Sequence, residues 1–100
     1  MIVERNVFHL AFGKAKDSIA LMSEAMDEMK TCASLESRML TDLVGASYTL
    51  VLEINYADET CFDFQKSFWS LSPKLEELYV KFQSLCDWAE KDFYRLNMVH

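Results

Sequence analysis

The chain has 100 residues, with ten Lys and Arg against sixteen Asp and Glu for a net charge of −6. That length holds one hydrophobic core and not two, and the acidic balance lacks the basic footprint of a nucleic-acid binder or of a protein that adsorbs to anionic lipid. Apolar residues make up 51% and aromatics 13%, with two Gly and one Pro, which is globular and excludes collagen-like, linker-like and turn-dense β-sandwich chains.

Residues 2–12, IVERNVFHLAF, are β-branched and aromatic with no helical period, and predict a strand that Gly13 ends. Residues 14–32 predict a helix. Ile19, Met22, Met26 and Met29 recur at three and four and share one face, while Ser18, Glu24, Asp27 and Glu28 fall toward water. Methionines at this spacing fill a core rather than hold a metal. Asp17 stands in the first turn, where a negative charge suits the helix dipole.

Residues 36–44 predict a second strand and Gly45-Ala46-Ser47 a hairpin turn. Residues 48–56 predict a third strand, with Tyr48, Leu50, Leu52, Ile54 and Tyr56 alternating against Thr49, Val51, Glu53 and Asn55. Asp58 can cap a helix over 58–70 that carries Phe62, Phe64, Phe68 and Trp69. Ser72-Pro73 starts another helix, Ser at N-cap and Pro at N1, with Leu75, Leu78, Tyr79, Phe82, Leu85 and Cys86 on its apolar stripe. After a short acidic turn holding Asp87 and Glu90, residues 92–99 predict the last strand.

The order is βαββαβ in a single domain over residues 1–100. It predicts an α+β, ferredoxin-like fold: a four-stranded antiparallel sheet, helices on one face, the first and third strands in the middle. The seven Lys fall outside the cores of these strands, while Arg5, Arg38 and Arg95 fall inside them. Leu50, Leu52 and Ile54 suit the helix-covered face. The first and last strands, however, are apolar on both sides, and a second apolar face calls for a partner. The simplest partner is another copy, sheet against sheet, in a two-fold homodimer.

The N-terminus has no basic segment followed by an apolar one, and no apolar run approaches the roughly 20 residues that cross a bilayer. Three widely spaced cysteines, no Cys-x-x-Cys and two His predict no metal site; a cytoplasmic protein with reduced thiols is expected. No P-loop, GxGxxG or GxSxG pattern occurs.

Four stretches resemble the dimeric α+β-barrel superfamily, which includes antibiotic-biosynthesis-monooxygenase-like and NIPSNAP-type proteins. They are Val7-Phe8-His9-Leu10 through Phe12-Gly13-Lys14, then Thr41-Asp42-Leu43-Val44-Gly45, Thr49-Leu50-Val51-Leu52-Glu53-Ile54 and Lys91-Asp92-Phe93-Tyr94-Arg95. Asp87-Trp88-Ala89 departs from the pattern, since relatives often place a Gly there. The resemblance implies two sheets closing a barrel-like homodimer, with ligand pockets between sheet and helices or inside the barrel.

With Leu50, Leu52 and Ile54 under the helices, Thr49, Glu53 and Asn55 point into that barrel. Arg5, Arg38 and Arg95 can join Glu53 there, with Asp42 or His9. One reading is a polar patch that orients an anionic or phenolic ligand; the other is intersubunit Arg–carboxylate pairs that set the register of the dimer. His9 is a lone imidazole, a general base in one reading and a packed or interfacial side chain in the other. The catalytic candidates are therefore His9, Glu53 and Arg95, and the ligand-binding candidates Asn6, Arg5, Arg38, Trp69 and Tyr79.

Haem-degrading members of the superfamily pair an Asn on the first strand with a Trp in the helical half and hold iron with a His on the following helix. Asn6 and Trp69 match, but the later helix shows Tyr79 on its apolar stripe, so no haem and no other cofactor is expected. The functional expectation is a small homodimer that binds a small organic ligand in an apolar pocket. The alternatives are a cofactor-independent monooxygenase acting on a phenolic or quinol-like substrate, and a structural dimer without a ligand.

Overall fold

A computed structural model describes residues 1–44, 48–58 and 66–100. Its elements are β1 (Ile2–Leu10), α1 (Ala15–Ala33), β2 (Glu36–Thr41), β3 (Thr49–Tyr56), a 3-10 helix (Phe68–Ser70), α2 (Pro73–Gln83) and β4 (Cys86–Arg95). The four strands form one antiparallel sheet in the order β2-β3-β1-β4, so the first and third strands are central as the βαββαβ plan requires. The expected hairpin turn at Gly45-Ala46-Ser47, and residues 59–65 of the expected helix over 58–70, lie outside the described residues. At the described end of that segment the chain forms only the 3-10 helix, whose Ser67 hydroxyl accepts from the Trp69 amide at 3.2 Å.

The period-two pattern of β3 decides the core. Leu50, Leu52 and Ile54 are fully buried, and Ile2, Phe8 and Leu10 of β1 lie on the same side. Met22, Ala25 and Met29 of α1 and Leu75, Leu78 and Phe82 of α2 close over them. The buried stripe of α1 is rotated from the one its apolar residues suggest. Ser18 is fully buried rather than solvated, and Ile19 is half-exposed. The serine tolerates burial because its hydroxyl donates to the Lys14 carbonyl at 2.7 Å, so no polar group is left orphaned. Ser72 caps α2 as expected: its Oγ accepts from the Leu75 amide at 3.1 Å and donates to Glu28 on α1 at 2.7 Å.

β4 departs most from expectation. It begins at Cys86, not at residue 92, and ends at Arg95, so Leu96, Met98 and Val99 lie beyond the strand and are exposed. Its pairing with β1 runs from Ile2–Arg95 to Leu10–Cys86, and this length requires the earlier start. As an edge strand it carries Asp87, Glu90, Lys91 and Asp92, charges that guard an unpaired edge and that read as a solvated turn in the sequence. Lys91 therefore stands within a strand, contrary to the expected segregation of Lys from the sheet. β1 ends at Leu10, two residues early, with Gly13 in the turn at φ 75° where a side chain would be strained. β2 ends at Thr41, and the Asp42 carboxylate accepts from the Thr49 amide at 2.9 Å instead of joining the patch around Glu53.

Candidate functional site

The alternation of β1 and the cover of α2 create a small aromatic pocket at the junction of α2 and β4. It has a volume of about 220 Å³, and its walls are Phe8, Tyr79, Phe82, Gln83, Cys86, Trp88 and Ala89. Tyr79, Phe82 and Gln83 come from one side of α2 through their three- and four-residue spacing. Phe8 and Phe82 meet edge to face at 5.0 Å, and Trp69 lies 5.6 Å from Phe82 and 5.4 Å from Tyr79. The aromatic wall is thus continuous from sheet to helix. Tyr79, expected in the core, is 40% exposed. It sits where the stripe of α2 reaches the open end of this pocket.

A bulge in β4 shapes the same corner. His9 pairs with Trp88 and Leu10 with Cys86, so Asp87 is the extra residue. The local bend stacks the Trp88 indole on the His9 imidazole at 3.6 Å with an interplanar angle of 10°. Glu90 lies 3.8 Å from His9 Nε2, a buried nitrogen with no hydrogen-bond partner among the described residues. This bulge is what Asp87-Trp88-Ala89 does in place of a glycine turn. The Cys86 Sγ donates to the Trp88 carbonyl at 3.2 Å. Burial pushes the Cys86 thiol up, against the hydrogen bonds to the Trp88 and His9 backbone that pull it down, so the pocket presents a neutral thiol and not a nucleophilic thiolate.

A second polar cluster lies under the helices. Glu4 is 1% exposed. Its carboxylate accepts from the Tyr56 hydroxyl at 2.9 Å and from Asn6 Nδ2 at 2.8 Å, with Lys91 Nζ at 3.9 Å. Burial, then the charge of Glu4 and the hydrogen bond to it, push the Tyr56 phenol well above the usual tyrosine range. Asn6 is thus held by Glu4, and Trp69 is buried beside Phe68 and Phe82. Glu4 and Tyr56 escaped the sequence reading. The available signal was a Glu on the parity of Phe8 and Leu10, the side that faces the helices.

The remaining candidates stand on the sheet face away from the helices. Glu53 lies between Arg38, whose Nε donates to Oε1 at 2.6 Å, and Arg5 at 3.9 Å. Both arginines border a broad depression of about 540 Å³ with Val3, Glu53, Tyr94 and the segment from Arg95 to Met98. Arg95 borders it too, but its register partner is Ile2, so Arg38 and not Arg95 completes the clasp on Glu53. The structure therefore unites Arg5, Arg38 and Glu53, keeps His9 apart beside Trp88, and places Asn6, Trp69 and Tyr79 on the helix side. Among the described residues no group of three or more His, Cys, Asp and Glu could hold a metal ion. No helix among them is long and apolar enough to cross a membrane.

No protein-family model matches the sequence, and no curated protein matches it. Solved structures do match. An uncharacterised NIPSNAP domain protein from Burkholderia xenovorans superposes with a TM-score of 0.79 at 16% identity, over 97% of this chain and 95% of that one. A NIPSNAP family protein from Agrobacterium tumefaciens also gives 0.79, at 13% identity over 96% and 92%. SnoaB from Streptomyces nogalater, a cofactor-independent oxygenase, gives 0.74 at 9% identity over 98% and 94%. The chain thus has the ferredoxin-like α+β fold. Its structural neighbours are NIPSNAP domain proteins and antibiotic-biosynthesis-monooxygenase-like proteins, and at these identities the likeness concerns fold alone.

Proposed function

We propose that this protein is a homodimer that binds a small, single-ring organic molecule in the aromatic pocket between α2 and β4. The carrying observation is the pocket itself: about 220 Å³ with Phe8, Tyr79, Phe82 and Ala89 in its walls, and Gln83, Tyr79 and Cys86 as the lining residues that can supply polar groups. An apolar cavity with a few polar groups is the usual form of a small-molecule site, and this volume suits a compact aromatic ligand. The dimer is supported by the sheet face away from the helices, where Leu40 and Tyr94 are exposed beside Val3, Val7 and Val51. Titration of isotope-labelled protein with phenol and hydroquinone tests the pocket. Shifts should concentrate at Tyr79, Gln83 and the Phe8 and Phe82 rings and vanish in Ala89→Leu, which fills the space. Shifts confined to the depression around Arg5 and Arg38 would refute it.

A second reading is a cofactor-independent monooxygenase for phenolic or quinol-like substrates, favoured by the shared fold of SnoaB. In such a reaction the phenol supplies the electrons, so that phenol and O2 give a quinone and water. The protein would contribute a dry pocket and a group that holds the hydroxyl, a role Tyr79 fits. An oxygen electrode separates the readings: binding without oxygen uptake leaves the first standing alone.

A further inference from the structure

The pairing registers place four charged residues in one row across the whole sheet. Arg38 of β2 is opposite Glu53 of β3, Glu53 is opposite Arg5 of β1, and Arg5 is opposite Asp92 of β4. Residues directly opposite in adjacent strands point to the same side, and here that side is the one away from the helices. The row reads plus, minus, plus, minus. Its flanks are mixed: Glu36, Asn55, Val3 and Tyr94 stand on one side, and Leu40, Val51, Val7 and Glu90 on the other, with the apolar Val3, Val51 and Val7 at the centre. Within one chain only its first three members are joined, at 2.6 and 3.9 Å. Asp92 makes no ion pair with the described residues, and Arg38 is 70% exposed despite its bond to Glu53.

We infer that this row is a self-complementary key for a second copy of the chain, and that it fixes the direction of the two-fold axis. The inference rests on the homodimer proposed above. Of the axes that lie parallel to the sheet and bring its face against a copy, two keep the strands of both copies aligned. An axis along the row carries each charge over its own copy, so like faces like at all four positions. An axis parallel to the strands, between β3 and β1, reverses the row. Arg5 then faces the partner's Glu53, and Arg38 faces the partner's Asp92. Every position meets the opposite sign, and each contact occurs twice by symmetry.

Three features fit this operation. Packed sheets lie roughly 10 Å apart, a gap that Arg and carboxylate side chains reaching from both sides can bridge. The same axis brings the β4 edge of one copy over the β2 edge of the other, so the two unpaired edges of the sheet meet at both seams of a closed structure. The key also offsets the repulsion between two chains that each carry −6. The Arg and Glu residues that resemble a ligand site in the isolated chain thus become the register device of the assembly.

Exchange of the outer charges tests the axis. Arg38→Glu gives a row that meets its own copy with two like-charged contacts, each an introduced carboxylate against the partner's Asp92. Asp92→Arg does the same with two positive contacts. A mixed pair has neither: the new acid of the first variant meets the new base of the second, and the retained Asp92 meets the retained Arg38. Sedimentation equilibrium should show each variant alone with a dimer dissociation constant raised about 30-fold or more, and an equimolar mixture with near-parental association. Circular dichroism checks that each variant is folded. If Arg38→Glu does not fold, Arg38→Ser with Asp92→Ser gives a milder version in which only the mixture keeps one complete pair. A parental dimer whose variants associate unchanged, or whose mixture shows no recovery, overturns the key and leaves the homodimer standing. A parental chain that sediments as a monomer at micromolar concentrations overturns the homodimer itself.

Discussion

Removing one hydroxyl group measures how the buried Glu4 carboxylate is held. Tyr56→Phe keeps the ring in its buried place and deletes the donor at 2.9 Å from Glu4 Oε1. Asn6 Nδ2 at 2.8 Å and Lys91 Nζ at 3.9 Å remain, but both serve the other oxygen, Oε2. Glu4 is only 1% exposed, so water has little room to replace the lost donor. A hydrogen bond to a charged group in such a place contributes about 1.5–3 kcal/mol. With an unfolding entropy of about 2.1 cal/mol/K per residue, that lowers the melting temperature of a 100-residue domain by about 7–14 °C. The assay is thermal unfolding at fixed protein concentration, because the proposed dimer would make the midpoint concentration-dependent. Repeating it in a Glu4→Gln background isolates the charge: there the hydroxyl should contribute only about 0.5–1.5 kcal/mol. Equal losses in both backgrounds, or a loss below about 0.5 kcal/mol in the parent, would refute a desolvated carboxylate dependent on Tyr56.

Further outcomes follow from the same geometry. Tyr56 has its folded pKa raised above the unfolded value of 10.0, so the folded state keeps a proton that the unfolded chain releases. Its contribution is complete below pH 10 and declines as pH rises beyond it, by up to about 1.4 kcal/mol per unit; denaturant titrations at several alkaline pH values should show this decline, reduced in Tyr56→Phe. Ser72→Ala removes the α2 cap and the tie to Glu28, and should lower the free energy of urea unfolding by about 1–2 kcal/mol. Leu52→Ala empties a fully buried position on the central strand and should lower it by about 2–5 kcal/mol, whereas Leu43→Ala, at a residue 97% exposed, should stay within about 0.5 kcal/mol of the parent. Cys86 should react slowly with a thiol reagent at neutral pH compared with the exposed Cys32, followed by mass spectrometry of the modified peptides.

Local chemistry was enough for the elements whose pattern reports their own environment. The alternation of Leu50, Leu52 and Ile54 against Val51, Glu53 and Asn55 has the period of a strand with two unlike faces, so β3, its buried side and the outward Glu53 are legible residue by residue. Ser72-Pro73 marks the start of α2 because capping and a fixed proline φ are properties of adjacent residues. Topology followed from the order of the elements, since only a few connections can join them without crossing. The start of β4 was not legible. An edge strand is held by its neighbour β1 and guarded by charge, so Asp87, Glu90 and Asp92 give it the look of a loop until the pairing with β1 is known. Burial of Ser18 depended on the angle at which α1 lies on the sheet, which its apolar spacing left about one position free. The Glu4–Tyr56 contact joins residues 52 apart in sequence, and the charged row from Arg38 to Asp92 exists only through three registers at once. Sequence sets which side of a strand a residue occupies; tertiary pairing sets which residues stand opposite one another, and the chemistry of this protein lies in those oppositions.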